Sequence, residues 1–422
     1  MLLFSISPVN LMHTLAMALD LAVDGVSLHQ KRVAIMCSYI AEKMSIKLHE
    51  EQALLSAALM HDIGAASFSD ERKRISDPKL TGSNPMVIFV HAENGYILLK
   101  DSEPFSFIAE TIRHHHDNWS GGNPSGLSGD QIPLHSRIIH LADRVDINID
   151  KNKPILACRS DLKKLIEANR GRNFDPMVVD AFMECSEKES FWLDLTIPDY
   201  VNSFKNRMNL GGTPYNMADL VKIAELFATL IDRMSRFTAT HSRSVSGVAV
   251  FLAQVHGFSE SELHLVKISG LLHDLGKLSI PNKILEKPGP LDPQEQMTVR
   301  QHTFFTYRIL SQIEQMETVA GWAAFHHETL DGKGYPFKID ASDLSIGSRI
   351  MAVADIFVAL TENRPYRQKL PQHTVEKIMM SMVDNNKITA SVVHNLLTNY
   401  KTAEQIVLSQ ENWTQPATVT EV

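Results

Sequence analysis

Residues 271–277 read Leu-Leu-His-Asp-Leu-Gly-Lys, and residues 59–65 read Leu-Met-His-Asp-Ile-Gly-Ala. A histidine beside an aspartate, closing an apolar stretch and followed by glycine, thus occurs twice, 212 positions apart. The likeness extends in both directions. A histidine stands 32 residues before each pair, His29 and His241. After each pair comes a single histidine, His91 or His302, and 24 residues later a double one, His115-His116 or His326-His327. An aspartate preceded by alanine closes each series, Asp143 or Asp355. The offset is 212 for the outer positions and 211 for the histidines between them, and ten of the nineteen histidines are used. Seven matched positions in order mark an internal duplication.

The segments between these residues read as helices. Residues 48–60 and 263–272 are apolar with polar residues at helical intervals, and 217–234 carries an apolar stripe at i, i+3, i+4 and i+7. Gly-Pro clusters at 121–126, 288–293 and 332–336 read as loops, and no hairpin signals recur. The expectation is an all-α protein of two tandem helical bundles, 1–205 and 217–422, joined by a linker at 206–216. Residues 392–400 and 403–408 read as closing helices before a polar tail.

The chain has 422 residues, 44% of them hydrophobic and 21% charged, with a formal net charge of −8. That balance suits globular domains and argues against a broad grip on DNA or RNA. A small anionic ligand in a locally basic pocket is compatible with it. Three unpaired cysteines, no signal-peptide pattern and no long uncharged apolar run point to a cytoplasmic protein that does not span a membrane.

Five histidines and two aspartates exceed the needs of one ion and suit two ions sharing a carboxylate. Adjacent helical side chains diverge by about 100°, so a neighbouring His-Asp pair converges only on something at the rim of its helix. In the second half, His241, His273, Asp274 and Asp355 form one expected metal site. His302, His326 and His327 complete the other, with Asp274 as the bridge. The same ligand types recur as His29, His61, Asp62, His91, His115, His116 and Asp143. His114 leaves the register of the first double histidine uncertain by one position.

The second half resembles an HD-GYP domain, a branch of the HD superfamily of metal-dependent phosphohydrolases. The likeness is carried by His273-Asp274-Leu275-Gly276-Lys277, Lys287-Pro288-Gly289-Pro290-Leu291, His302, the run from His326 to Pro336 and Arg364-Pro365-Tyr366-Arg367. It implies an all-α bundle that hydrolyses a 3′,5′-cyclic dinucleotide to a linear one. Cyclic di-GMP is the first expected substrate and 3′,3′-cyclic GMP-AMP the second. A pair of divalent ions roughly 3.5–4 Å apart would hold a bridging hydroxide for attack on phosphorus. Iron or manganese is expected, with zinc or nickel also compatible with such ligands.

Within that resemblance Asp274 and Lys277 are the expected catalytic residues, Lys277 neutralising a phosphate oxygen. Lys277, Gly334, Tyr335, Arg364 and Arg367 are the expected substrate contacts. The two arginines suit two-pronged contacts, Gly334 close ligand approach, and Tyr335 stacking on a base. Asp331 is expected to order the loop. Some family members carry a glutamate four residues before the first histidine that helps bind a third metal; here Phe237 stands there, so two metals are expected.

The first half departs from the pattern. Ala65 replaces the lysine, residues 117–124 lack Gly-Tyr-Pro, and Asn152 and Ile155 replace the arginines. Three readings stay open for it: a metal-binding regulatory or dimerising partner, a metal-free scaffold, or a phosphohydrolase with another substrate. A non-catalytic nucleotide receptor is the rival for the whole chain, and a di-iron oxygenase is disfavoured by the Gly-Tyr-Pro loop. Homodimerisation and a signalling protein partner are left open.

Overall fold

The computed structural model describes residues 6, 8–24, 28–65, 86–196, 215–234, 240–363 and 368–411. The expected linker lies mostly outside them, as do Phe237, Arg364, Arg367 and the polar tail from residue 412. The described residues are helical and form no strand. Isolated bridges join Ile6 to Tyr215 and Arg170 to Phe174.

The chain divides into two units, Ser7–Pro214 with Pro416–Val422, and Met1–Ile6 with Tyr215–Gln415. The first contains α1 (Pro8–Asp24), α2 (His29–Lys43), α3 (Leu48–Met60), α4 (Met86–Leu99), α5 (Ser106–Arg113), α6 (Leu134–Ile147), α7 (Ile155–Ala168), α8 (Pro176–Cys185) and α9 (Glu189–Asp194). A short 3₁₀ turn, Ile63–Ala65, follows α3. Val33, Met36 and Ile40 of α2 are buried with Leu54, Leu55 and Ala58 of α3 and Ile138, Leu141 and Val145 of α6.

The second unit repeats the plan. It contains α10 (Met217–Arg233), α11 (His241–Val255), α12 (Glu260–Leu272), a 3₁₀ turn (Leu275–Ser279), α13 (Asn282–Leu285), α14 (Pro293–Leu310), α15 (Glu317–Ala324) and α16 (Ile346–Thr361). The closing helices are α17 (Gln372–Asp384), α18 (Ala390–Thr398) and α19 (Tyr400–Glu411). Local chemistry sets several starts. Asn216 caps α10 through Ala218 and Asp219, Ser259 exchanges hydrogen bonds with Glu262 at α12, and Asp292 caps α14 ahead of Pro293. Val245, Val248 and Leu252 of α11, Val266 of α12, Val353 and Phe357 of α16 and Leu396 of α18 belong to one buried cluster.

The glycine of each motif serves packing. A Cβ on Gly276 would lie 1.9 Å from the His302 carbonyl oxygen, and one on Gly64 would lie 2.0 Å from that of His91. Only glycine lets the 3₁₀ turn close onto the helix carrying the third histidine.

Candidate metal centres

Helix ends supply most of the ligands. In the second unit His241 is the first residue of α11, His273 and Asp274 follow α12, His326 and His327 follow α15, and His302 and Asp355 sit within α14 and α16. The first unit matches this with His29 opening α2, His61 and Asp62 after α3, His91 in α4, His115 and His116 after α5, and Asp143 in α6. All these side chains are buried or nearly so.

Asp274 stands between two groups of histidines. Its Oδ2 lies 3.2 Å from His273 Nε2 and 3.9 Å from His241 Nε2, and its Oδ1 lies 3.3 Å from His302 Nε2. Asp355 Oδ1 is 3.2 Å from His241 Nε2 and 3.9 Å from His273 Nε2. The donor atoms of His302, His326 and His327 lie within 4.8 Å of one another, as do those of His241, His273 and Asp355. Asp62 holds the equivalent place, with Oδ2 3.3 Å from His29 and 3.4 Å from His61, and Oδ1 3.3 Å from His91. His91 Nε2 faces the Nε2 atoms of His115 and His116 at 3.2 and 3.0 Å. The register is thereby decided: His114 turns away, with Nδ1 2.8 Å from Asp117.

The tautomers follow from the outer contacts. Nδ1 of His273, His302 and His326 donates to the carbonyls of Gly270, Val299 and Ala323, at 2.8, 2.6 and 2.7 Å. His61 and His115 do the same toward Ala58 and Ile112. A neutral imidazole that donates from Nδ1 keeps a lone pair on Nε2, and these lone pairs point at one another. Such an arrangement is repulsive without a cation in the middle. Among the described residues, buried Asp62 Oδ1, Asp143 Oδ1 and His273 Nε2 have no hydrogen-bond partner. The donor sets fit divalent ions in both units.

The charges agree with that fit. Burial alone would raise the Asp274 carboxyl, yet the neighbouring His273 and Lys277 hold it well below the usual carboxylate range. Burial likewise opposes ionisation of Asp355 and Asp62, and their histidines prevail. Burial lowers His302 to about 3 and takes His326, His115 and His116 well below the usual histidine value. Ionised carboxylates and neutral imidazoles are the forms a metal takes. His241 differs. Burial opposes its charge, but Glu362 and Asp355 raise it to about 10.

Around the ligands the two units diverge. Lys277 Nζ lies 2.5 Å from Asp274 Oδ2, whereas its counterpart Ala65 is buried and apolar. His241 Nδ1 is backed by Glu362 at 3.1 Å; His29 Nδ1 is backed by Asp146 at 2.7 Å, which Arg32 also binds. Arg144 reaches Asp143 Oδ2 at 3.0 Å, in a place where the second unit has Ile356. Sequence reasoning missed Glu362, Asp146, Arg32 and Arg144. It also passed over Asp20 and Asp232, which sit 212 apart and accept the backbone N–H of Gln30 and Ser242 at the starts of α2 and α11. The repeat offset was the signal that could have found that pair.

One expectation for the Gly-Tyr-Pro loop changes. Gly334 is buried, and a Cβ there would lie 2.4 Å from Glu328 Cα and 2.6 Å from the His327 oxygen. Its smallness serves backbone packing against the double-histidine turn rather than ligand approach. The Tyr335 ring lies 4.9 Å from that of His327, and the Arg300 guanidinium sits 4.3 Å from its centroid. Glu328 anchors the loop by accepting from the N–H groups of Phe337 and Lys338. Asp331 does order the turn, through Thr329, the Lys333 N–H and Lys387.

Comparison with known proteins follows the same division. HD-domain family models match residues 26–148 and 225–392. The chain is 29% identical over 408 residues to 3′3′-cGAMP-specific phosphodiesterase 1 of Vibrio cholerae, covering 94% of this chain and 92% of that protein. It is 33% identical to 3′3′-cGAMP-specific phosphodiesterase 3 of the same organism, over 66% of this chain and 59% of that one. A cyclic di-GMP phosphodiesterase of Thermotoga maritima is 30% identical over 49% of this chain and 54% of its own length. Among solved structures, the cyclic GMP-AMP-specific phosphodiesterase V-cGAP3 of V. cholerae superposes with a TM-score of 0.66 at 25% identity, covering 96% of this chain and 98% of that one.

Proposed function

We propose that this chain, which belongs to the HD family of metal-dependent phosphohydrolases and carries an HD-GYP second half, is a phosphodiesterase of 3′,5′-linked cyclic dinucleotides, with 3′,3′-cyclic GMP-AMP its preferred substrate. The observation that carries the activity is the inward-facing Nε2 set of the second unit, divided by Asp274 into two groups with Lys277 beside it. Bound there, two divalent ions supply an activated water and a Lewis acid for the scissile phosphodiester. Iron or manganese suits the mixed imidazole and carboxylate donors. Lys277 places a positive charge against the scissile phosphate, and Glu362 keeps His241 oriented. Cyclic GMP-AMP is set ahead of cyclic di-GMP because the relatives aligned over nearly the whole chain carry that specificity in their names.

The first unit is read as a second metal-holding site with a regulatory role. Its orphaned Asp62 and Asp143 oxygens favour ions over a metal-free scaffold. The loss of Lys277's counterpart and of the Gly-Tyr-Pro loop argues against the same chemistry there. No helix among the described residues is long and apolar enough to cross a membrane, and a cytoplasmic place is proposed.

Product analysis tests the substrate. Protein loaded with manganese or ferrous iron is incubated with cyclic GMP-AMP, cyclic di-GMP and cyclic di-AMP, beside Asp274→Ala. A linear dinucleotide forming fastest from cyclic GMP-AMP, and not with the variant, is expected. Cyclic ligand bound and returned unchanged would make the chain a receptor.

A further inference from the structure

We infer that Arg300 is a specificity-determining residue that stacks one purine base of the cyclic dinucleotide; this rests on the function proposed above. Arg300 lies on α14 two residues before the ligand His302. Its side chain is exposed, yet its guanidinium is held over the Tyr335 ring at 4.3 Å. Tyr335 in turn lies on His327 at 4.9 Å, with 34° between the rings. The three groups follow one another outward from a candidate metal ligand, and the outermost, an exposed planar cation, reaches solvent.

No carboxylate among the described residues pairs with Arg300, although the exposed Arg159 finds Glu189. An arginine held over a tyrosine ring has lost much of its rotamer freedom before any ligand arrives. Being exposed, its guanidinium offers a planar surface to a ligand. Purines stack on guanidinium planes, and the positive charge strengthens the contact. The guanidinium edges remain free to donate to purine acceptors. A dinucleotide whose scissile phosphate sits at the ions carries a base outward beside that phosphate, and the stack supplies a fourth layer for it.

The first unit lacks every outer member of this stack. Phe89 stands in place of Arg300 and Pro124 in place of Tyr335. Recognition of a base by this device belongs to the second unit alone.

Steady-state kinetics with cyclic GMP-AMP on full-length, metal-loaded protein test the inference. Arg300→Gln and Arg300→Lys should both raise KM about tenfold with kcat within about threefold, the mark of lost ground-state binding. Metal content should match the wild type, which separates the effect from damage to His302. Tyr335→Leu removes the ring beneath the guanidinium and should behave like Arg300→Gln. A wild-type KM for Arg300→Lys would overturn the inference, since charge without a plane would then suffice. Unchanged KM in all three variants would overturn it too. Wild-type protein that turns over no cyclic dinucleotide would overturn the proposed function, and this inference with it.

Discussion

The two units carry the same seven candidate metal ligands in the same order and set different groups behind them. Each has an aspartate whose two oxygens face separate histidine groups. Behind the second unit's ligands stand Lys277 and Glu362, with the Tyr335–Arg300 stack beside them. Behind the first unit's stand Asp146 with Arg32, and Arg144 against Asp143. A donor set that fits divalent ions is therefore kept with little else in common, because such a set needs only inward lone pairs and a shared carboxylate. Acting on a phosphodiester needs more: a cation aimed at the phosphate and a surface for the rest of the substrate.

The strongest way to break that comparison is to remove one bridging aspartate at a time. Asp274→Ala should lower cyclic-dinucleotide turnover more than about a hundredfold and remove the second unit's ions. Asp62→Ala should remove a similar amount of metal, counted by elemental analysis, with a loss of turnover below about tenfold. Equal loss of turnover from both variants would make the two centres one catalytic apparatus.

The glycine contacts are common to both units. Gly276→Ala and Gly64→Ala each force a methyl group onto a backbone carbonyl, and each should cost about 2–4 kcal/mol in thermal or denaturant unfolding. The carboxylates behind the first histidines differ between units. Glu362→Gln should weaken metal binding about 10–100-fold in the second unit only, and Asp146→Asn likewise in the first. Titration calorimetry on each variant reads both.

Proton release sharpens the electrostatic side. His241 is raised to about 10, and His29 is raised well above the usual histidine value by Asp146 and Asp62 against the opposing effect of burial. Both are protonated in the ion-free protein near neutral pH and must lose that proton to bind a metal. Affinity should therefore rise with pH across the neutral range, with about one proton released per unit. Calorimetry in buffers of different ionisation enthalpy measures this.

The smallest effect concerns the buried pair Asp20 and Asp232. Burial raises each to about 7, against the opposing hydrogen bonds at Gln30 and Ser242. A carboxyl raised in the folded state contributes stability that is complete below its unfolded value and is lost as pH rises through about 7. The melting temperature of wild type relative to Asp232→Asn should fall between pH 5 and 8.

Much of this was legible in the chain. The helices expected over 48–60 and 217–234 appear as Leu48–Met60 and Met217–Arg233. The all-α duplication follows from the same pattern, because ligand spacing and apolar periodicity are local or strictly repeated signals. The neighbours of Tyr335 were not legible: a sequence shows an aromatic residue but not that His327 and Arg300 lie against its ring. Glu362 and Asp146 escaped because they occupy different positions in the two halves. A carboxylate three residues past Asp143 and one seven past Asp355 both reach the first histidine, and no offset connects them.

The order of histidines and aspartates, read alone, determined that two helical bundles would each gather a metal-holding set, since ligand types and spacings survive as text. Tertiary structure decided what each set faces. Backbone carbonyls turned the imidazoles inward, α14 brought Arg300 over Tyr335, and α16 carried either Ile356 or, through its counterpart α6, Arg144 beside the last aspartate. Those outcomes depend on side-chain direction and on contacts between segments far apart in the chain, which spacing does not encode.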